Sequence, residues 1–203
     1  MKALTITYLV KNGVYVNLTN RCPCSCVFCL RQNGDGVAGS DSLWLEREPT
    51  LEEVCRSLDQ WNLDERDEVV FCGYGEPTER LDVLLDVARY IRSKSGVKIR
   101  VNTNGLADLI WKEPTARKLE GLVDAVSISL NASDKETYFK LTRSKFGIES
   151  YDAMLRYAQD CVKYVPSVVM TIVDVVTSKE EQERCRRICE ERGLKLRIRP
   201  YEK

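Results

Sequence analysis

Short β-branched runs alternate with amphipathic segments about six times along this chain of 203 residues. That alternation predicts a parallel sheet whose strands are joined by right-handed helical crossovers. Strands are expected at Val14 to Leu18, Glu68 to Cys72, Val97 to Val101, Val123 to Leu130, Ser167 to Val176 and Leu194 to Arg199. Between them, Thr50 and Glu53 form a capping box ahead of a helix with Leu51, Val54, Cys55, Leu58 and Trp61 at helical spacing. A second helix follows Thr78, with Leu81, Leu84, Leu85, Ala88 and Ile91 on one face, and ends at Gly96. Helical pieces are expected at Pro114 to Glu120, Asp134 to Leu141 and Tyr151 to Tyr164. A last helix is capped by Ser178 with Glu181, turns Cys185, Ile188 and Cys189 inward, and stops at Gly193. Six units are too few for a closed eight-unit barrel. The expected fold is therefore α/β: an open partial (β/α)6 TIM-like barrel with parallel strands. No linker, repeat or low-complexity tract divides the chain, so residues 1–203 read as a single domain.

Charge and composition remove several functions. The 31 Lys+Arg balance the 31 Asp+Glu, which leaves no electrostatic argument for a nucleic-acid or anionic-membrane binder. The longest apolar run, Ser167 to Val176, is broken by Asp174 and is too short to span a membrane. The N-terminus lacks the features of a signal peptide, so a cytoplasmic location is expected. The chain has no histidine, which excludes Ser-His-Asp and Cys-His nucleophile systems and every His-ligated metal site. It has nine cysteines, an odd number that in a reducing compartment points to metal ligation or redox chemistry rather than disulfides.

The predicted strand ends collect glycines and polar side chains: Asn17 and Thr19, Gly73 to Glu76, Asn102 to Gly105, then Ser127, Ser129 and Asn131. In parallel α/β folds, ligands bind at the carboxyl ends of strands. Each such residue alone could be a turn former; the set reads as a site. Directly after the first strand, Cys22-Pro23-Cys24-Ser25-Cys26-Val27-Phe28-Cys29 packs four thiols into one short segment. A disulfide does not suit the compartment. A zinc site built from four cysteines draws ligand pairs from separated segments, whereas only Cys26 and Cys29 have that spacing here. A dithiol redox pair leaves two cysteines unexplained. An iron–sulfur cluster held by thiolates is the fourth reading.

Cys22, Cys26 and Cys29 stand in the order C-x3-C-x2-C with the aromatic Phe28 before the last cysteine, which resembles the signature of the radical S-adenosylmethionine (SAM) enzymes. Gly73-Tyr74-Gly75-Glu76-Pro77 is similar to that family's Gly-Gly-Glu-Pro motif, with Tyr74 replacing a glycine. Asn102-Thr103-Asn104-Gly105 and Ser127-Ile128-Ser129-Leu130-Asn131 resemble its third- and fourth-strand segments. The resemblance covers about Asn17 to Arg143. It implies one [4Fe-4S] cluster on Cys22, Cys26 and Cys29, with the fourth iron chelating the amino and carboxylate groups of SAM. It further implies that Phe28, Gly73, Tyr74, Gly75, Glu76, Asn102, Asn104, Ser129 and Asn131 surround the cofactor. In that arrangement Glu76 and the backbone before it receive the methionine ammonium, and the segment with Ser129 and Asn131 holds the ribose. Arg143 would reach the methionine carboxylate, unless it is a solvated surface arginine. Cleavage of SAM would give a 5′-deoxyadenosyl radical that takes hydrogen from a substrate, with electrons from a low-potential donor such as flavodoxin or ferredoxin.

The segments Leu43 to Thr50, Phe71 to Asp82 and Asn104 to Ile110 resemble the radical SAM proteins described as TatD family-linked, which implies a functional link to a TatD-like hydrolase. Two other members of the superfamily compete: a glycyl-radical activase, and a carboxy-deazaguanine synthase, whose usual Cys-Asp-Thr is replaced by Cys29-Leu30-Arg31. Outside it stand a cluster-only electron carrier and a zinc-binding interaction module. Cys24 reads either as a bystander or as a redox or substrate-facing thiol, and Cys72 as core or pocket. Arg197 and Arg199 should project near the barrel mouth if strand alternation holds. Because the chain ends just after its last strand, a large substrate or partner protein is expected to close that mouth.

Overall fold

The computed structural model describes residues 4–200. Seven strands form one sheet in chain order: β1 (Thr7–Val10), β2 (Gly13–Val16), β3 (Glu68–Phe71), β4 (Lys98–Thr103), β5 (Ala125–Ser129), β6 (Ser167–Val173) and β7 (Lys195–Arg199). From β2 to β7 every pairing is parallel. The sheet is open, in line with the partial barrel expected. The correction lies at its start. β1 pairs antiparallel with β2, Thr7 opposite Val16 and Val10 opposite Gly13. The tight connection between them places Lys11 at φ 54°.

The crossovers are α1 (Leu51–Leu58), α2 (Leu81–Lys94), α3 (Ala107–Trp111), α4 (Lys135–Thr142), α5 (Ser150–Cys161) and α6 (Lys179–Glu191). Local chemistry sets their starts. Thr50 accepts from the Glu53 N–H while the Glu53 carboxylate takes the Thr50 N–H, so the predicted capping box is present. Asp134 and Ser178 cap α4 and α6 in the same way, through the N–H groups of Thr137 and Glu181. Two details differ from expectation. Pro114 to Glu120 holds only a 3-10 turn, Ala116–Leu119, and the short α3 precedes it. Leu51 of α1 is exposed, and Val54 and Leu58 carry that helix's burial.

Strand alternation divides the sheet into two chemically different faces. Val14, Val16, Val69, Phe71, Ile99, Val101, Val126, Ile128, Met170 and Ile172 point outward and are buried under the helices. Each such side chain stabilises the fold by about 1.5–3 kcal/mol relative to exposure. Leu84, Ala88 and Ile91 of α2 and Met154 and Ala158 of α5 complete this layer. The inner face is mixed, with its polar groups in register: Arg100 and Asn102 of β4 lie opposite Ala125 and Ser127 of β5, then Ser129 opposite Thr171 of β6 and Thr171 opposite Arg197 of β7, among the hydrophobic Tyr15, Val70, Val169 and Val173. A sheet whose polar strand residues gather on one face and at its carboxyl edge places its ligand face there. Among the described residues, no helix is long and apolar enough to cross a membrane.

Candidate functional site

The cysteine segment leaves the carboxyl end of β2 and is held by backbone bonds to distant parts of the chain. The Ser25 N–H donates to the Thr142 carbonyl and Val27 N–H to that of Leu141, both at 2.9 Å, and the Lys145 N–H donates to the Pro23 carbonyl at 2.8 Å. The C-terminal turn of α4 thus straps the segment along its length. Arg31 donates to the Cys24 carbonyl and Gln32 Nε2 to that of Cys26 at 2.7 Å, which closes the loop from its other end.

Within it, Cys24 is 3 % exposed and packs in the main core, which removes the substrate-facing reading of that thiol. Cys22, Cys26 and Cys29 are half-buried. Hydrogen bonding from Cys24 holds the Cys22 and Cys26 thiols below their ordinary range, while the same bonds push Cys24 well up. Burial raises Cys29. Asn104 Nδ2 lies 3.9 Å from Cys22 Sγ, and Asn104 Oδ1 accepts the Leu106 N–H at 2.9 Å, which fixes the amide's orientation. Among the described residues, no three Cys, Asp or Glu side chains gather as a single metal ion would require. The donor set fits a cluster better: three thiols and no imidazole, spread along one loop, with an amide already aimed at one sulfur.

The segment after β3 lies against this loop. A Cβ on Gly73 would come 2.1 Å from Asn17 Oδ1, and one on Gly75 would come 2.1 Å from the Thr19 carbonyl oxygen. Both positions therefore demand glycine for close approach. Tyr74 between them turns away from the loop of thiols. Its hydroxyl donates to the Gly34 carbonyl at 2.7 Å, and its ring packs edge-on against Trp44 at 5.2 Å, in a small cluster with Tyr8 and Leu43. This explains how an aromatic stands where the motif has glycine: only its backbone faces the site.

Glu76 is 4 % exposed and its carboxylate is largely occupied by the chain itself. Oε1 accepts from the Thr78 N–H (3.1 Å), the Thr78 hydroxyl (2.8 Å) and the Thr103 hydroxyl (2.7 Å), and Oε2 from the Asn104 N–H (2.7 Å). Burial pushes its pKa up against these donors. A carboxylate offers about four acceptor positions in total. Glu76 is thus the clamp that joins the β3 and β4 ends, with little acceptor capacity left for a ligand ammonium.

Further along the edge, Asn102 Oδ1 accepts from Arg100 Nη1 at 2.6 Å, and the Cys72 thiol beside it faces inward and is raised chiefly by burial. Ser129 and Asn131 contrast with these. Neither side chain hydrogen-bonds any described residue, although Asn131 is 3 % exposed and sits at φ 63°, a conformation asparagine tolerates. Two unpartnered polar groups at the carboxyl end of a central strand are open to a ligand. Phe28 is half-buried beside Cys29. Arg143 is exposed and caps α4 at φ 48°, directly after the residues that strap the cysteine loop; it has no acidic partner among the described residues. Sequence patterning did not single out Arg100, whose Nη2 lies 2.5 Å from Glu68 Oε1, or Thr103 as the residue that completes the Glu76 clamp. The available signal for Arg100 is its strict i, i+2 alternation with Asn102.

An open, mostly parallel α/β barrel with a thiol loop after its first parallel strand is the architecture of a cluster-dependent enzyme core. The chain belongs to the radical SAM superfamily, whose sequence model matches residues 16–198; enzymes of this superfamily use a [4Fe-4S] cluster and SAM and draw electrons from a reductant. The chain is 28 % identical over 172 residues to a probable GTP 3′,8-cyclase of Saccharolobus islandicus, covering 83 % of this chain and 49 % of that one. It is 32 % identical over 151 residues to an Fe-coproporphyrin III synthase of Methanosarcina barkeri, covering 74 % and 34 %. The chain thus spans about half the length, or less, of these curated relatives. The structure described as native anSMEcpe with bound AdoMet shares the fold, with a TM-score of 0.62 at 21 % identity over 92 % of this chain and 50 % of that one.

Proposed function

We propose that this chain is a radical SAM enzyme core in which Cys22, Cys26 and Cys29 hold three corners of one [4Fe-4S] cluster and SAM lies across the strand ends beside it. When bound, cluster and SAM supply a one-electron cleavage of the sulfonium and abstraction of hydrogen from substrate. The protein's own residues orient and enclose. The α4 strap sets the spacing of the thiols, and Asn104 donates toward Cys22, a bond of the kind that tunes a cluster's potential. Gly73 and Gly75 bring the β3 end within contact of the loop, so the backbone from Gly73 to Glu76 faces the methionine end. Asn102, Ser129 and Asn131 line the ribose side, Phe28 flanks the adenosine, and Arg143 extends from beside the strap toward the methionine carboxylate.

The observation that carries this reading is the pairing, at one end of the sheet, of a strapped three-thiol loop with the unpartnered Ser129 and Asn131. The single sheet and shared core favour one domain over residues 1–203. The electron donor is of the flavodoxin or ferredoxin kind. The sequence likeness of Leu43 to Thr50 and its companions supports a TatD-linked role, with a hydrolase as functional partner. The open side of the sheet suits closure by a large substrate or partner protein. The two relatives carry names for different products, so neither name fixes the substrate here.

The test is anaerobic purification, assay of iron, sulfide and zinc, then addition of dithionite and SAM. About four irons per chain and formation of 5′-deoxyadenosine are expected. Cys22→Ala, Cys26→Ala and Cys29→Ala should each lower both to background. Zinc in place of iron, with no cleavage after reconstitution, would falsify the reading and leave a binding module.

A further inference from the structure

The inner face of the sheet carries charge that the mechanism above does not use. Lys195, Arg197 and Arg199 of β7 occupy alternate positions and so share the face of Thr171, Ser129 and Asn102. Alternate residues on a strand lie about 7 Å apart, so these three cations form a row leading to the carboxyl edge. Arg100 projects from the same face of β4. Glu68, the only acidic strand residue on that face among the described residues, is already committed to Arg100 at 2.5 Å. Arg197 reaches only a neutral partner, Ser127 Oγ, at 3.4 Å. Neither it, Arg199 nor Lys195 has an acidic partner among the described residues.

The sheet's curvature concentrates this charge. β7 and β4 are three strands apart, roughly 14 Å if the sheet were flat. Burial first, and then the charges of Arg100 and Arg199, pull Arg197 below the ordinary guanidinium value, and the more weakly opposing charge of Glu68 does not offset them. Arg199 in turn acts on Cys72 at the end of β3. Both β7 guanidiniums are exposed, and their charge is felt on the β3 and β4 side of the lumen. Like charges gathered on one concave wall disfavour the folded chain by itself, and the molecule as a whole has zero formal charge. A group with a single negative charge would neutralise one of the three. A phosphate, at about −1.5 to −2, neutralises more and matches the guanidinium fork.

We infer that Arg197 and Arg199 form a substrate subsite for a phosphate group, so that the molecule attacked in this lumen is a phosphorylated one. The subsite deepens the proposed function by giving its substrate a chemical class, and it relies on that reading only for what happens to the bound molecule. Arg197 sits level with Thr171 and Ser129, and Arg199 two residues nearer the mouth. A phosphate held there leaves the rest of the substrate directed toward the strand ends that face the thiol loop.

The experiment is 31P line broadening of inorganic phosphate by the reconstituted full chain, titrated anaerobically with SAM in excess. Broadening should saturate, fall at least fivefold in Arg197→Gln/Arg199→Gln, and persist in Arg197→Lys/Arg199→Lys. It should also persist in Arg187→Gln, a change on the outer surface of α6. Undiminished broadening in the Gln pair, or no saturation in the parent chain, overturns the subsite. Formation of 5′-deoxyadenosine by the same parent preparation separates the two claims. Phosphate binding without SAM cleavage sinks only the proposed function, and cleavage without phosphate binding sinks only the subsite.

Discussion

Glu76 shows how a motif residue can serve the fold and the site at once. Its four donors come from the β3 and β4 ends, so the carboxylate sets the distance between those two strand ends, which flank the proposed cofactor region. Glu76→Gln places an amide NH2 against at least one of those donors. That change should cost about 1–3 kcal/mol, read as a lower urea midpoint with an unchanged slope. A destabilisation below half a kcal/mol would show that the clamp is not formed. Gly75→Ala belongs beside it, because its Cβ would meet a backbone oxygen at 2.1 Å that cannot rotate away. A loss of about 1–3 kcal/mol is expected in the same assay. The sequence made both residues visible as motif members but hid their reason. The Thr78 donors lie two residues from Glu76, but those of Thr103 and Asn104, like the Thr19 carbonyl facing Gly75, are too far along the chain to be read from spacing.

At the level of elements, what was legible was local. The caps of α1 and α6 were readable because capping is decided within four residues. β1 was overlooked, although Asn12-Gly13 between two β-branched runs is a hairpin signal that the pairing of β1 with β2 realises. α3 was missed because five residues carry too little periodicity to announce a helix. The start of α1 offers a pH test. The Arg47 side chain, then the Thr50 N–H, lower the Glu53 carboxyl to about 2. Its folded value is thus depressed below the unfolded one. The stabilisation it gives is complete above the usual glutamate range and is lost as the pH falls toward 2. Acid titration of Glu53→Gln should lack that component, so the two chains converge in stability at low pH. Parallel curves throughout that descent would contradict the capping box.

Across the whole molecule, stability should grade from the sheet centre outward. Val69 to Phe71, Ile99 to Val101 and Val126 to Ile128 lie in strands paired on both sides and covered by helices. Their amides should exchange with deuterium only through global unfolding. β7 is paired on one side only among the described residues, so its outward-facing amides should exchange at least tenfold faster than those central strands. Equal protection would mean that something covers the β7 edge in solution. The sheet order and open form could be foreseen because alternating strands and helices admit few topologies. The cationic inner wall was foreseeable only in part, from the spacing of Arg197 and Arg199. That Arg100 faces them follows from curvature, which no linear pattern records.

The strap from α4 also fixes a timetable. Cys22 to Cys29 leave the ribosome early, whereas Leu141, Thr142 and Lys145, which hold that segment in shape, are made more than a hundred residues later. At ordinary rates of synthesis the thiols wait on the order of ten seconds for their scaffold. Ordering of the thiol loop therefore follows the synthesis of α4. A truncated chain lacking α4 would present the same cysteines without the backbone bonds that set their spacing.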